Sequence, residues 1–251
     1  MYNKFQYFKT MSDIKDVWTK ETDRLKSNLL IDDSLNWIGK CNELKYIGGV
    51  DISFIKGDDV NACAAYVILK YPSLDVVYED YEMIKLTASY IPGFLAFREV
   101  DHLVRLIKKA TVSADLIFVD GNGILHPHEF GLACHLGVRL GIPTVGVAKK
   151  LFMIDGLNKK TVKDTVKDRC RSKGDSIDLI GNSGKLWGAA MIGEPNEDGI
   201  NNPIYISVGH MISLNTAKSV TKTIMPYRVP EPIRLADIRS REYLRRIKKI
   251  D

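Results

Sequence analysis

Two short runs, DLIFVDG at 115–121 and PTVGVAKKL at 143–151, constrain this chain more than anything else in it. A strand with one face in water alternates apolar and polar residues. These are apolar almost throughout, the pattern of strands covered on both faces. Between them, PHEFGLACHLGVRLG reads as a helix that begins after Pro127 and closes at Gly141. Strand, helix and strand in succession predict a parallel pair. Upstream the pattern differs. Tyr46–Phe54, Ala62–Lys70 and Leu74–Ile84 are β-type runs joined by the turn-like links FIKGDDVN and YPS. Short links favour antiparallel neighbours, so these three predict a meander.

The expected fold class is therefore α/β: a mixed sheet, antiparallel meander plus parallel strands, flanked by helices. That order matches the ribonuclease H-like architecture. Residues 12–30, capped by Ser12, and the segments SLNTAKSVTKTIM and LADIRSREYLRRIKK are predicted as helices; LWGAAMI and PIYISVGH are predicted as strands. No repeat or linker divides the chain, so a single domain over 1–251 is expected, with a polar, basic insertion around 153–186. Hydrophobic residues make up 45%, enough for a sizeable core. No apolar run approaches the ~20 residues that span a bilayer, and the N-terminus lacks the apolar stretch of a signal peptide. Cys41, Cys63, Cys134 and Cys170 show no CxxC spacing. They read as reduced thiols of an intracellular protein rather than a disulfide framework or a zinc site.

Three carboxylates carry the chemistry. Asp51 lies inside the apolar run GGVDISF, Asp120 ends LIFVD, and Glu99 sits where LAFREV enters a helix. A buried carboxylate is expensive unless paired or bound to a cation. Three that converge suggest a hard divalent ion such as Mg²⁺, the usual equipment for hydrolysing a phosphodiester. Each also has a plainer reading: a turn-capping Asp51, an ordinary Asp120-Gly121 turn, a Glu99 that favours a helix dipole. Gly121-x-Gly123-x-x-His126 lacks the third glycine of a dinucleotide fingerprint. Lys149, ending PTVGVAKK, reads either as a snorkelling lysine at a strand terminus or as one pointing toward the sheet end that carries Asp120, where it suits stabilisation of developing phosphoryl charge. His126 and His128 have no companion cysteine for zinc. His210 ends a β-run and is a candidate for positioning water or phosphate, with a structural histidine the commoner reading of a lone His there. Tyr90-Ile91-Pro92-Gly93 reads as a rigid loop, able to wedge into a base stack or to serve as a core aromatic at a strand end.

Net charge is only +5, but it is unevenly placed. Residues 149–173 hold nine Lys/Arg against three Asp, and 228–251, the basic terminal helix, hold eight Lys/Arg against four Asp/Glu. Such stretches can hold a polyanion; charge by itself leaves a solvated helix surface equally open.

Taken in order, GGVDISF, YIPGFLAFRE, DLIFVDGNGILHPHEFGLACHLGV, IPTVGVAKKL, YISVGH and RVPEPIRLADIRSRE resemble the endonuclease V family over about residues 45 to 245. The wording is similar to the animal branch. The resemblance implies a ribonuclease H-like, Mg²⁺-dependent endonuclease, with Mn²⁺ as a substitute, that recognises inosine. Such an enzyme cuts the second phosphodiester on the 3′ side and leaves 3′-hydroxyl and 5′-phosphate ends. It implies Asp51, Glu99 and Asp120 as metal-binding carboxylates, with His210 and Lys149 beside them. It further implies Tyr90, Ile91 and Pro92 as the wedge, and Gly93, Leu95, Gly121 and His126 as the loops around the base. Ser89 stands where bacterial members have Pro, which fits a preference for single strands. The expected substrate is inosine-containing single-stranded RNA. The alternatives are deoxyinosine DNA, cut in repair, and a catalytically silent inosine-RNA reader. A monomer is expected, in cytoplasm, nucleus or nucleolus, with no membrane partner.

Overall fold

The computed structural model describes residues 11–33, 43–88, 91–194 and 202–247. Helix α1 (Met11–Lys26) precedes the meander β1 (Tyr46–Phe54), β2 (Asn61–Lys70) and β3 (Val76–Lys85). Then follow α2 (Leu95–Lys109), β4 (Leu116–Asp120), α3 (Leu132–Leu140), β5 (Thr144–Ala148) and α4 (Lys159–Arg169). The chain continues through β6 (Ser176–Ile180), β7 (Leu186–Met191), β8 (Ile204–His210), α5 (Leu214–Thr223) and α6 (Glu231–Ile247). All the strands join one sheet in the order β3-β2-β1-β4-β5-β8-β7-β6. The meander is antiparallel, and β1, β4 and β5 run parallel. This is the ribonuclease H-like mixed sheet that the sequence predicts, extended beyond β5 by antiparallel strands.

The all-apolar runs have a direct cause. Leu116 and Phe118 enter one core together with Val145 and Val147, while Ile117 and Val119 enter a second core beneath α2 and α3. Successive strand residues point to opposite faces, so a strand between two cores has no place for a polar one. Helix α6 lies on the first face against β1 and β2, with Ile233 and Ala236 fully buried. It sits very close: a Cβ on Gly49 would run into the Pro232 carbonyl.

One expectation fails. The helix expected after Pro127 begins only at Leu132. Residues before it form a loop because Gly131 packs against the Asn122 carbonyl, where a side chain would collide. The polar, basic segment 153–186 contains α4 and β6, and β6 extends the sheet by pairing with β7. Val162, Val166 and Leu179 anchor it in a core with Trp187 and Tyr205. Its charges sit on the outer side, as an edge strand and a surface helix allow. Cys63, Cys134 and Cys170 are free and buried; Cys41 lies outside the described residues. Among the described residues no helix is long and apolar enough to cross a membrane.

Candidate active site

Strands β1 and β4 are paired with Val50 opposite Val119. The next residue in each is acidic, so parallel register alone sets Asp51 beside Asp120 on one face, about one strand spacing (~4.8 Å) apart. The Asp120 charge acts directly on the Asp51 carboxyl. Asp51 is only 6% exposed. Burial first, then the charges of Asp120 and Asp237, push its carboxyl well above the usual range. Two hydroxyls address its Oδ2, Ser53 Oγ at 3.1 Å and Ser240 Oγ at 3.4 Å. Strand β5 continues the same logic. Val147 pairs with Asp120, and Lys149, two residues on, places its Nζ 2.6 Å from Asp120 Oδ2. Burial works against the Lys149 charge, but Asp120, Asp51 and Asp237 outweigh it and hold its pKa above the ordinary value.

Glu99 is not a first-turn helix residue satisfying a dipole. It is the fifth residue of α2, 5% exposed, beneath the same end of the sheet. Burial pushes its carboxyl up to about 7; the Arg98 guanidinium opposes this and Asp120 adds to it. Asp237 is a fourth acidic member that no sequence expectation named. It comes from α6, its charge acts on both Asp51 and Lys149, and it holds Arg241 Nε at 2.8 Å. Its only sequence signal was its place in RLADIRSRE, one turn before Ser240 on the face that packs against β1. Among the described residues, no three His, Cys, Asp or Glu side chains already close into a cation cage. The donor set is the Asp51–Asp120 pair, with Glu99 and Asp237 within electrostatic reach.

His210 does not belong to this group. Strand β8 runs antiparallel to β5, with Tyr205 opposite Ala148 and His210 opposite Thr144. The ring therefore lies at the other end of β5 from Lys149, roughly 15 Å away at ~3.3 Å per residue. It is buried there, accepting a hydrogen bond from the Leu30 amide, and burial lowers its pKa.

The residues proposed around a base divide as well. Tyr90 lies outside the described residues. Ile91 is 1% exposed, so it anchors its loop in the core instead of presenting a free wedge; the turn closes with its carbonyl accepting from Phe94 N at 3.0 Å. Pro92 is exposed, and Leu95 is 41% exposed. Gly93 takes φ +83°, the left-handed region, beside the His128 ring. His128 packs on Phe94 at 4.7 Å, and His126 lies between His128 and Phe152. Burial first, and then His128, drive the His126 pKa down to about 4, so its imidazole is neutral at neutral pH. The Gly121 amide is not free to read a base. It donates to the Val147 carbonyl at 3.1 Å, and the Gly123 amide donates to Ser207 Oγ at 2.8 Å. An open cleft of about 530 Å³ runs along Asp120, Gly121, Asn122, Lys149, Lys150 and Phe152. Its lining includes Phe152, the ring that the buried His126 meets edge-on at 5.5 Å.

Acidic side chains on adjacent parallel strands, a lysine on the third and a cleft across their ends define a class: a ribonuclease H-like protein with a carboxylate centre. The comparisons narrow the class. The Endonuclease V family model matches residues 25–238, and the chain belongs to that nuclease family. It is 46% identical to mouse endonuclease V over 92% of this chain and 69% of that protein. It is 44% identical to the human protein over 92% and 83%. The crystal structure of the catalytic domain of human endonuclease V superimposes with a TM-score of 0.92 at 40% identity, covering 96% of this chain and all of that one. The Ciona intestinalis endonuclease V, solved with a 24mer DNA containing an inosine followed by a ribo-adenosine, gives 0.83 at 31% identity over 94% and 99%.

Proposed function

We propose that this protein is a divalent-cation-dependent endonuclease that recognises inosine in single-stranded RNA. It cuts the second phosphodiester on the 3′ side and leaves 3′-hydroxyl and 5′-phosphate ends. The observation that carries the reading is the Asp51–Asp120 pair with Lys149 on it, at one end of the cleft, in a chain of this family. The ribonucleotide that follows inosine in the strand bound by the Ciona protein supports a ribose next to the base.

The donor set fits Mg²⁺. It is all oxygen, and Mg²⁺ commonly takes one or two carboxylates and completes its shell with water and substrate phosphate. It also fits the electrostatics, because Asp51 and Asp120 repel each other in a buried place. Asp51 and Asp120 would hold the ion, with Glu99 and Asp237 adjoining; Mn²⁺ has the same ligand preferences. A divalent cation bound there supplies an acidified water and charge neutralisation at the phosphate. Lys149 keeps a positive charge beside Asp120 to meet the charge that develops on phosphorus-bound oxygens. The ring of Phe152 lines the cleft, backed by the buried, neutral His126, and offers a surface suited to a base turned out of its strand.

The test is cleavage, with Mg²⁺, of matched single-stranded RNA and DNA oligonucleotides that each carry one inosine, with adenosine versions as controls. A cut one nucleotide beyond inosine, mainly in RNA, is expected. A cut mainly in DNA makes the protein a repair nuclease. Binding without any cut makes it a reader.

A further inference from the structure

We infer that Ser240 and Ser53 form a two-hydroxyl relay that orients the Asp51 carboxylate, with Ser240 a positioning residue delivered by the last helix. The role rests on the nuclease reading above only in what Asp51 is oriented for. The geometry stands without it. Ser240 is fully buried, and its Oγ lies 2.7 Å from Ser53 Oγ, whose own contact with Asp51 Oδ2 is 3.1 Å. Proton accounting fixes the direction. Each hydroxyl has one proton to give. Ser53 gives its proton to Asp51. Ser240 can give its own to Ser53 at 2.7 Å, to the Asp237 carbonyl at 3.0 Å, or to Asp51 directly at 3.4 Å. The shortest path is the chain Ser240 to Ser53 to Asp51, in which each bond polarises the next.

Two features show that this is a built arrangement. Asp51, Ser53 and Ser240 are all buried side chains with polar atoms converging on one oxygen, and among the described residues no serine reaches Oδ1. Helix α6 can come this close only because position 49 is glycine, packed on the Pro232 backbone. The same helix thus brings Asp237 to the charge cluster and Ser240 to the oxygen behind it. Groups that orient metal-binding side chains are typically worth 10–100-fold in metal affinity.

The experiment uses Mn²⁺ as the probe, titrated calorimetrically into the full chain without RNA. Affinity for inosine RNA is measured separately in chelator. Ser240→Ala should weaken Mn²⁺ binding about 10-fold and leave RNA affinity unchanged. Ser53→Ala, which leaves the α6 contact face intact, should give the same shift even where Ser240→Ala folds poorly. The double variant should be no worse than Ser53→Ala alone, because Ser240 acts on Asp51 through Ser53. Unchanged Mn²⁺ affinity in Ser53→Ala, or fully additive losses, would overturn the relay. Parallel losses of RNA and Mn²⁺ affinity would reduce Ser240 to a packing residue. A wild-type chain that binds Mn²⁺ but cuts no RNA would remove the nuclease reading and leave the relay in place.

Discussion

Glu99→Gln should stabilise the cation-free protein at alkaline pH, and the size of the effect can be worked out. The carboxyl is raised from its ordinary 4.5 to about 7, chiefly by burial. A folded-state pKa above the unfolded one means that the folded chain holds the proton more tightly. The associated stability is present below pH 4.5 and is lost as pH rises through 7. Each pH unit of separation is worth about 1.4 kcal/mol, so ionising Glu99 in the folded chain costs about 3 kcal/mol by pH 8.5. Glutamine keeps the shape and carries no charge at any pH. The variant should therefore unfold up to about 6–12 °C higher than the parent at pH 8.5, using ~2–4 °C per kcal/mol for a chain of this size. At pH 4.5 the two should nearly coincide. The assay is thermal unfolding in chelator across that range. The difference between the chains is the quantity to read, because His126 and His135, both driven down to about 4, tilt the raw curve the other way. The parent loses their contribution as pH falls from 6.5 toward 4. A difference that stays constant with pH would refute the buried-charge account of Glu99.

Three further substitutions test the site from other sides. Asp51→Ala and Asp120→Ala should each abolish cleavage on a denaturing gel while RNA binding in filter assays stays within a few-fold, since neither aspartate lies on the aromatic wall; residual cutting in either would sink the carboxylate assignment. Gly49→Ala should force α6 away from β1, costing about 1–3 kcal/mol in urea unfolding as overpacking does, and should lower activity in the fraction still folded; a midpoint equal to the parent's would show that the helix yields without consequence.

The sheet and its two aspartates were legible because strand period and register need only local pattern. Asp51 and Asp120 each end or interrupt an apolar run, and parallel pairing does the rest. Lys149 was legible by the same count along β5. His210 misled because its run shows a strand but not a direction. An antiparallel β8 carries its last residue to the far end of the sheet. Asp237 and Ser240 were invisible for a different reason. On a helix with this many charges an aspartate reads as solvated surface, and only the Gly49–Pro232 approach turns that face toward β1. In β6 the alternation is short and its polar residues face outward, so an edge strand passed for irregular chain.

What the fold makes rigid and what it leaves to loops follow the division of labour in the site. Asp51, Asp120 and Lys149 stand on three adjacent strands whose hydrogen-bonded register leaves their backbones almost no freedom. Chemistry that loses rate with small displacements belongs on such a frame. The aromatic wall is carried by loops, held by single backbone bonds, such as Ile124 N to the Val208 carbonyl at 2.8 Å, and by side chains instead of a continuous ladder. Phe94 packs on His128, and Glu129, at φ +54°, is clamped by Lys26 at 2.8 Å and Lys185 at 2.5 Å. A non-glycine residue in the left-handed region persists only where its surroundings hold it, so those two ion pairs, from α1 and from the turn before β7, fix the segment that carries His126. The aromatic wall can therefore be altered by changing loop contacts while the strand frame of the carboxylates stays where the register puts it.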